Sequence, residues 1–114
     1  TLGVGGFVVD GVIRDIVGIK SLNFPVFARG TTVAASGKAG VGEINIPISC
    51  GGMTVHPGDI IVGDADGVVV IPQTIEQEVL EKSLEKLKMD QMREERISGN
   101  REAIIKHLDE LIKK

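Results

Sequence analysis

The sequence predicts an α/β fold, from a change of composition near Pro72 and a change of hydrophobic period across it. All glycines but Gly99 lie before position 68, with three of the four prolines, whereas most charged residues lie after Pro72. Short apolar runs broken by glycine turns read as strands, and a charged stretch with leucines at helical spacing reads as solvated helix. Residues 1–72 are therefore expected to form a strand-rich core. Residues 73–114 are expected to form a helical segment that packs on that core or on a neighbouring subunit.

The elements follow in order. Residues 6–10 (GFVVD) predict a strand, 16–22 a short helix, and 25–28 a second strand entered through Pro25, which cannot continue a helix. Residues 43–48 alternate Ile44, Ile46 and Ile48 with Glu43, Asn45 and Pro47, the period of a half-buried strand, with Pro47 implying an edge or bulge. Gly51 and Gly52 mark a turn before a short strand at 53–55. Pro57 and Gly58 open a turn into 59–63, and Asp66-Gly67 predicts a hairpin between 60–62 and 68–71, runs so apolar that both faces are expected to be covered. Thr74 and Gln77 have capping-box spacing for a helix over 75–97. Val79, Leu80, Leu84 and Leu87 form its apolar stripe, which fades toward Gln91 and Glu94. Gly99 ends that helix and Asn100 caps a last one, whose buried side is expected at Ile104, Leu108 and Leu111.

Composition excludes several classes. A chain of 114 residues supports one domain, its core built from Val, Ile, Leu and Ala, since it has no Trp or Tyr and three Phe. A net charge of −3 with no basic stripe argues against a nucleic-acid surface. A single cysteine, Cys50, excludes an intrachain disulfide and fits a reducing, cytoplasmic setting. Neither a membrane span nor a signal peptide is expected. The glycines at 3–6 precede a strand instead of following one, so they do not make a dinucleotide loop. His56 and His107 each lack a second ligand or nucleophile nearby in sequence, and nothing beside Cys50 activates its thiol.

Two features carry chemistry. Arg14 and Asp15 stand together at the carboxyl end of the first strand, where a guanidinium can clamp an anion and a carboxylate can hold a hard metal ion. The alternative is that Asp15 caps the short helix and Arg14 is a surface charge. Lys38 sits among Ala34, Ala35, Ser36, Gly37, Ala39 and Gly40, small residues that let backbone approach a ligand, or else form a flexible loop.

Four segments in register, DGVIRD at 10–15, FPVFARG at 24–30, GEINIPI at 42–48 and PGDIIVGDADGVVVIP at 57–72, resemble the RraA-like family. That family unites regulator of ribonuclease activity A with the 4-hydroxy-4-methyl-2-oxoglutarate aldolases. The resemblance implies a swivelling β/β/α sandwich, incomplete at the amino terminus, with carboxyl-terminal helices. It implies trimers or hexamers with sites between subunits. It also implies a metal-dependent lyase of pyruvyl acids, an aldolase or oxaloacetate decarboxylase, with Arg14 on the substrate, Asp15 on Mg2+ or Mn2+, and Lys38 as a second substrate-binding residue. Glu94 or Glu95 is the expected counterpart of an acidic residue lent by a neighbouring subunit. Gly18 stands where the aldolase branch has an acid, a departure shared with the regulator branch. The second expectation is accordingly a non-catalytic regulator that binds a ribonuclease or RNA helicase.

Overall fold

In the computed structural model, which describes residues 2–113, the strand-rich half begins with a parallel pair. Strand β1 (Phe7–Ile13) runs into helix α1 (Ile16–Ser21) and returns as β2 (Val26–Thr31) alongside β1. Both strands run further than the sequence predicts, β1 beyond Asp10 to Ile13 and β2 through Arg29 to Thr31. The Phe7 amide donates to the Pro25 carbonyl at 3.0 Å. The Phe7 and Phe24 rings meet edge to face at 5.4 Å, pinning the open end of the pair.

Two antiparallel hairpins follow. In the first, β3 (Ile48–Cys50) pairs with β4 (Met53–Val55) across Gly51 and Gly52, whose φ of 59° and 81° suit a tight hairpin turn. In the second, β5 (Ile60–Asp64) pairs with β6 (Gly67–Ile71). The loop here is Ala65-Asp66, one residue earlier than the Asp66-Gly67 expected: Gly67 pairs with Asp64, and the Asp64 carboxylate accepts the Asp66 amide at 2.8 Å. The expected strand at 43–48 is a correction, for only Ile48 belongs to one. Asn45 adopts φ 56° and Pro47 has no amide to donate, so the isoleucine alternation never becomes a ladder.

Asp59 closes the second hairpin at its base. Its side chain is only 6% exposed, with one oxygen accepting the His56 amide at 2.9 Å and the other the Gln73 amide at 3.1 Å. A turn of 3₁₀ helix (Gln73–Ile75) leads to α2 (Glu76–Ile97), and α3 (Arg101–Ile112) follows Gly99, at φ 69°. The Asn100 side chain accepts the Ala103 amide at 3.1 Å, as expected of a cap. The capping box at Thr74 does not form: Ile75 occupies the cap position, and Gln77 reaches forward to Glu81. On α3 the shielded residues are Ala103 and His107, while Ile104, Leu108 and Leu111 are 40–54% exposed, so the buried side lies elsewhere than expected. The described residues divide into two compact units, with the boundary between Gln73 and Thr74.

No described residue is fully buried. The strands that look most like a core in sequence stand open, with Ile60, Ile61, Val62 and Val69 between 39% and 59% exposed. The expectation that both faces of the second hairpin are covered is thus not met within this chain. Half-buried side chains occur around β1, α1 and β2, at Ile13, Ile16, Ile19, Phe24, Val26 and Phe27, and along β6 at Val68, Val70 and Ile71. The Phe27 ring lies so close to β5 that a β-carbon at Gly63 would stand 2.7 Å from it.

Exposed apolar strands favour association. The dye ANS is expected to bind the monomer and to be displaced as copies associate with rising concentration. A monomer that stays free of dye at every concentration would contradict this. The two amides on Asp59, that of His56 first, hold its carboxyl below the ordinary Asp value of 3.8. A lowered folded value makes the tie fully stabilising above 3.8 and progressively lost as pH falls through the folded value. Carboxyl NMR titration should show Asp59 titrating below 3.8, and a midpoint at or above it would refute the tie.

Candidate functional site

The end of β1 delivers Arg14 and Asp15 to the surface. Asp15 has φ 62° and ψ 41°, the left-handed region that Asp tolerates better than most residues. A helix cap needs extended backbone so that its side chain can fold back onto the first amides. The Asp15 carboxylate accordingly makes no capping hydrogen bond, and only its backbone carbonyl serves α1, accepting the Ile19 amide at 2.9 Å. The capping alternative is therefore excluded. The side chain is 80% exposed, with the Arg14 Nε 3.7 Å from Oδ2. A carboxylate exposed and unused by the helix is open to a ligand.

The approach to this pair is irregular. Val9 pairs with Ala28 and Val12 with Gly30, so Asp10 and Gly11 together oppose the single residue Arg29. Asp10 pairs with the Arg29 side chain through Oδ1 and accepts the Gly51 amide through Oδ2 at 3.0 Å. The Gly51 amide first, and the Arg29 guanidinium second, hold the Asp10 carboxyl below its ordinary value. One carboxylate thus joins β1, β2 and the β3–β4 turn. Sequence reasoning singled out neither partner as a working residue. The available signal was a charge following two apolar residues in each of two neighbouring strands.

Lys38 lies exposed in the segment between β2 and β3. That segment departs beside the pair, because the Thr32 amide donates to the Ile13 carbonyl at 2.9 Å and the Thr32 hydroxyl accepts the Ala34 amide at 3.1 Å. A groove of about 950 Å³ opens nearby in the chain, lined by Val8, Phe27 and Val70 among apolar residues and by Asp10 and Arg29. Arg14, Asp15 and Lys38 are not part of its wall. Glu94 and Glu95 belong to α2, in the second unit.

Among the described residues no three His, Cys, Asp or Glu side chains cluster as metal ligands. Asp15 offers a single exposed carboxylate. Such a donor fits a hard, strongly hydrated cation of the Mg2+ kind, which keeps several waters and uses one or two carboxylates, and does not fit an all-protein cage. His56 Nδ1 lies 3.8 Å from the Asp59 carboxylate and Cys50 is half-buried at the end of β3, an arrangement that gives neither a nucleophile–base pair. No helix among the described residues is long and apolar enough to cross a membrane.

Comparison with known proteins places these features in a family. The chain is 59% identical over 112 residues to a protein of Halalkalibacterium halodurans provisionally named 4-hydroxy-4-methyl-2-oxoglutarate aldolase, an alignment covering 98% of this chain and 53% of the relative. A crystal structure of an uncharacterized protein from Pseudomonas syringae superposes with a TM-score of 0.79 at 32% identity, over 86% of this chain and 50% of that one. RraAS2 of Streptomyces coelicolor, described as an unusual member of the RNase ES inhibitor RraA protein family, superposes with a TM-score of 0.70 at 25% identity, over 85% of this chain and 58% of that one. The chain spans about half the length of that curated relative. The family model described as RraA-like, Aldolase/RraA, matches residues 1–70. With the match running through every residue that builds β1, β2 and the turn beneath Asp10, the chain belongs to the RraA-like family.

Proposed function

We propose that the protein is a divalent-metal-dependent lyase of pyruvyl acids, acting as an aldolase or oxaloacetate decarboxylase. The observation that carries this reading is the Arg14–Asp15 pair: two opposite charges side by side, both exposed, with the carboxylate released from capping by its left-handed backbone. The provisional aldolase name of the 59% identical relative supports the same reaction class.

Arg14 would take the carboxylate of a 2-oxo acid on its planar guanidinium, which fixes the substrate's plane as well as its position. Asp15 would hold Mg2+ or Mn2+ through one carboxylate oxygen. When bound, the cation supplies a Lewis acid for the negative charge that develops on the 2-oxo oxygen as the carbon–carbon bond breaks. Lys38 would approach the substrate's second carboxylate from the loop that leaves beside Ile13. Orientation and charge complementarity then do most of the catalytic work. Decarboxylation asks least of such a site, because no general base is needed to remove a hydroxyl proton. The enzyme would work as a homo-oligomer, a trimer or hexamer, in the cytoplasm, and the exposed strands supply apolar surface for such assembly.

A second reading has its own support. Gly18 follows Asp15 in the helix where an acid would reinforce a cation site, and the structural similarity to RraAS2 extends to 85% of the chain. A non-catalytic regulator that binds a ribonuclease or RNA helicase would use the same fold without the chemistry.

Pyruvate release from oxaloacetate with added Mg2+ or Mn2+ separates the two. The expected result is release that falls at least about tenfold in Asp15→Ala and shows a raised KM in Arg14→Ala. Equal rates in wild type and Asp15→Ala would sink the metal role. Failure of any release, together with capture of a ribonuclease, would favour the regulator.

A further inference from the structure

We infer that Asp10 is the positioning residue of the Arg14–Asp15 site, through a bulge in β1 that it holds against Arg29 and the Gly51 amide. The inference rests on the lyase reading of that pair, and it concerns a residue that touches neither substrate nor metal.

Side chains alternate faces along a strand, so one extra residue transfers every later side chain to the opposite face. Between the Val9–Ala28 and Val12–Gly30 pairings, β1 has two residues and β2 has one. Without the extra residue, the next pairing would be Gly11 with Gly30. Arg14 and Asp15 would then leave the strand one position out of register, with the face of each exchanged. Bulges in parallel pairs are uncommon and need a reason to persist.

Asp10 supplies one. It sits at the bulge itself, and Arg29 is the lone residue opposite. The two side chains pair across the bulge. The second carboxylate oxygen is used by the Gly51 amide, 41 positions away in sequence, so the bulge is also anchored to the β3–β4 turn. Beyond the bulge, the Thr32 amide on the Ile13 carbonyl carries the shifted register to the last residue before Arg14. An exposed ion pair contributes little to stability, and Arg29 is 65% exposed. The contribution of Asp10 is therefore to geometry, which is what a misaimed clamp would lose.

The test compares Mn2+ binding and oxaloacetate decarboxylation in wild type, Asp10→Ala, Asp10→Asn, Arg29→Lys and Asp15→Ala. Asp10→Ala should raise the Mn2+ Kd and the oxaloacetate KM by about tenfold. Asp10→Asn keeps an acceptor for the Gly51 amide and should fall between it and wild type, as should Arg29→Lys, which keeps the charge. A purely structural role would lower the bound stoichiometry and the maximal rate by removing folded protein, while leaving Kd and KM unchanged. Wild-type Kd and KM in Asp10→Ala would overturn the inference, and if that variant does not fold, the same values in Asp10→Asn would do so. Asp15→Ala reports on the lyase reading separately: undiminished Mn2+ binding there would reject that reading whatever Asp10 does.

Discussion

One carboxylate, that of Asp10, joins three pieces of backbone that the sequence brings from far apart. Its oxygens are both committed, one to Arg29 on the neighbouring parallel strand and one to an amide in the turn of the first hairpin. The parallel pair could form without it, since Phe7 through Val9 already match Val26 through Ala28. The irregular register beyond Val9 could not be held so readily. That register decides how the chain enters Asp15, whose left-handed backbone turns the strand into α1 and leaves its carboxylate unused by the helix. The site is thus built by local backbone geometry, and the Asp10 knot connects that geometry to the rest of the fold.

The same structure shows how little else fixes the strands. The described strands form three separate two-stranded sheets, a size that is marginal in water by itself. Their apolar residues are half exposed, and the groove between them is walled by Val8, Phe27, Val70 and their neighbours. Close approach does occur between sheets, where the Phe27 ring leaves no room for a β-carbon at Gly63. Polar ties such as Asp59 on the Gln73 amide hold hairpin ends in place where apolar burial is thin. This balance explains why single carboxylates bear more structural weight here than in a domain with a filled core.

Much of this was legible in the residues. Gly51-Gly52, the apolar runs flanking Asp66, the Gly99–Asn100 break and the change of period at Pro72 all rest on backbone constraints that act locally, and each marks a real boundary. The failures share a different cause. Residues 43–48 have the right alternation for a strand, but a ladder also needs donors and extended backbone, which Pro47 and Asn45 deny. Thr74 and Gln77 have capping-box spacing, yet the 3₁₀ turn moves the helix start to Glu76 and leaves them out of place. The shielded side of α3 depends on its packing against α2, and periodicity alone put it at the wrong residues. Arg14 and Asp15 stood out as a pair in sequence. The residue that aims them did not, because a bulge is a property of two strands at once.

The proposed chemistry depends on a divalent cation bound where β1 ends, at Asp15. Mn2+ is paramagnetic and broadens the amide signals nearest to it, so adding it in small steps to isotopically labelled protein at neutral pH maps the site directly. The amides of Arg14, Asp15, Ile16 and Val17 are expected to be among the first to disappear. Persistence of those four amides while signals elsewhere broaden would contradict binding at Asp15.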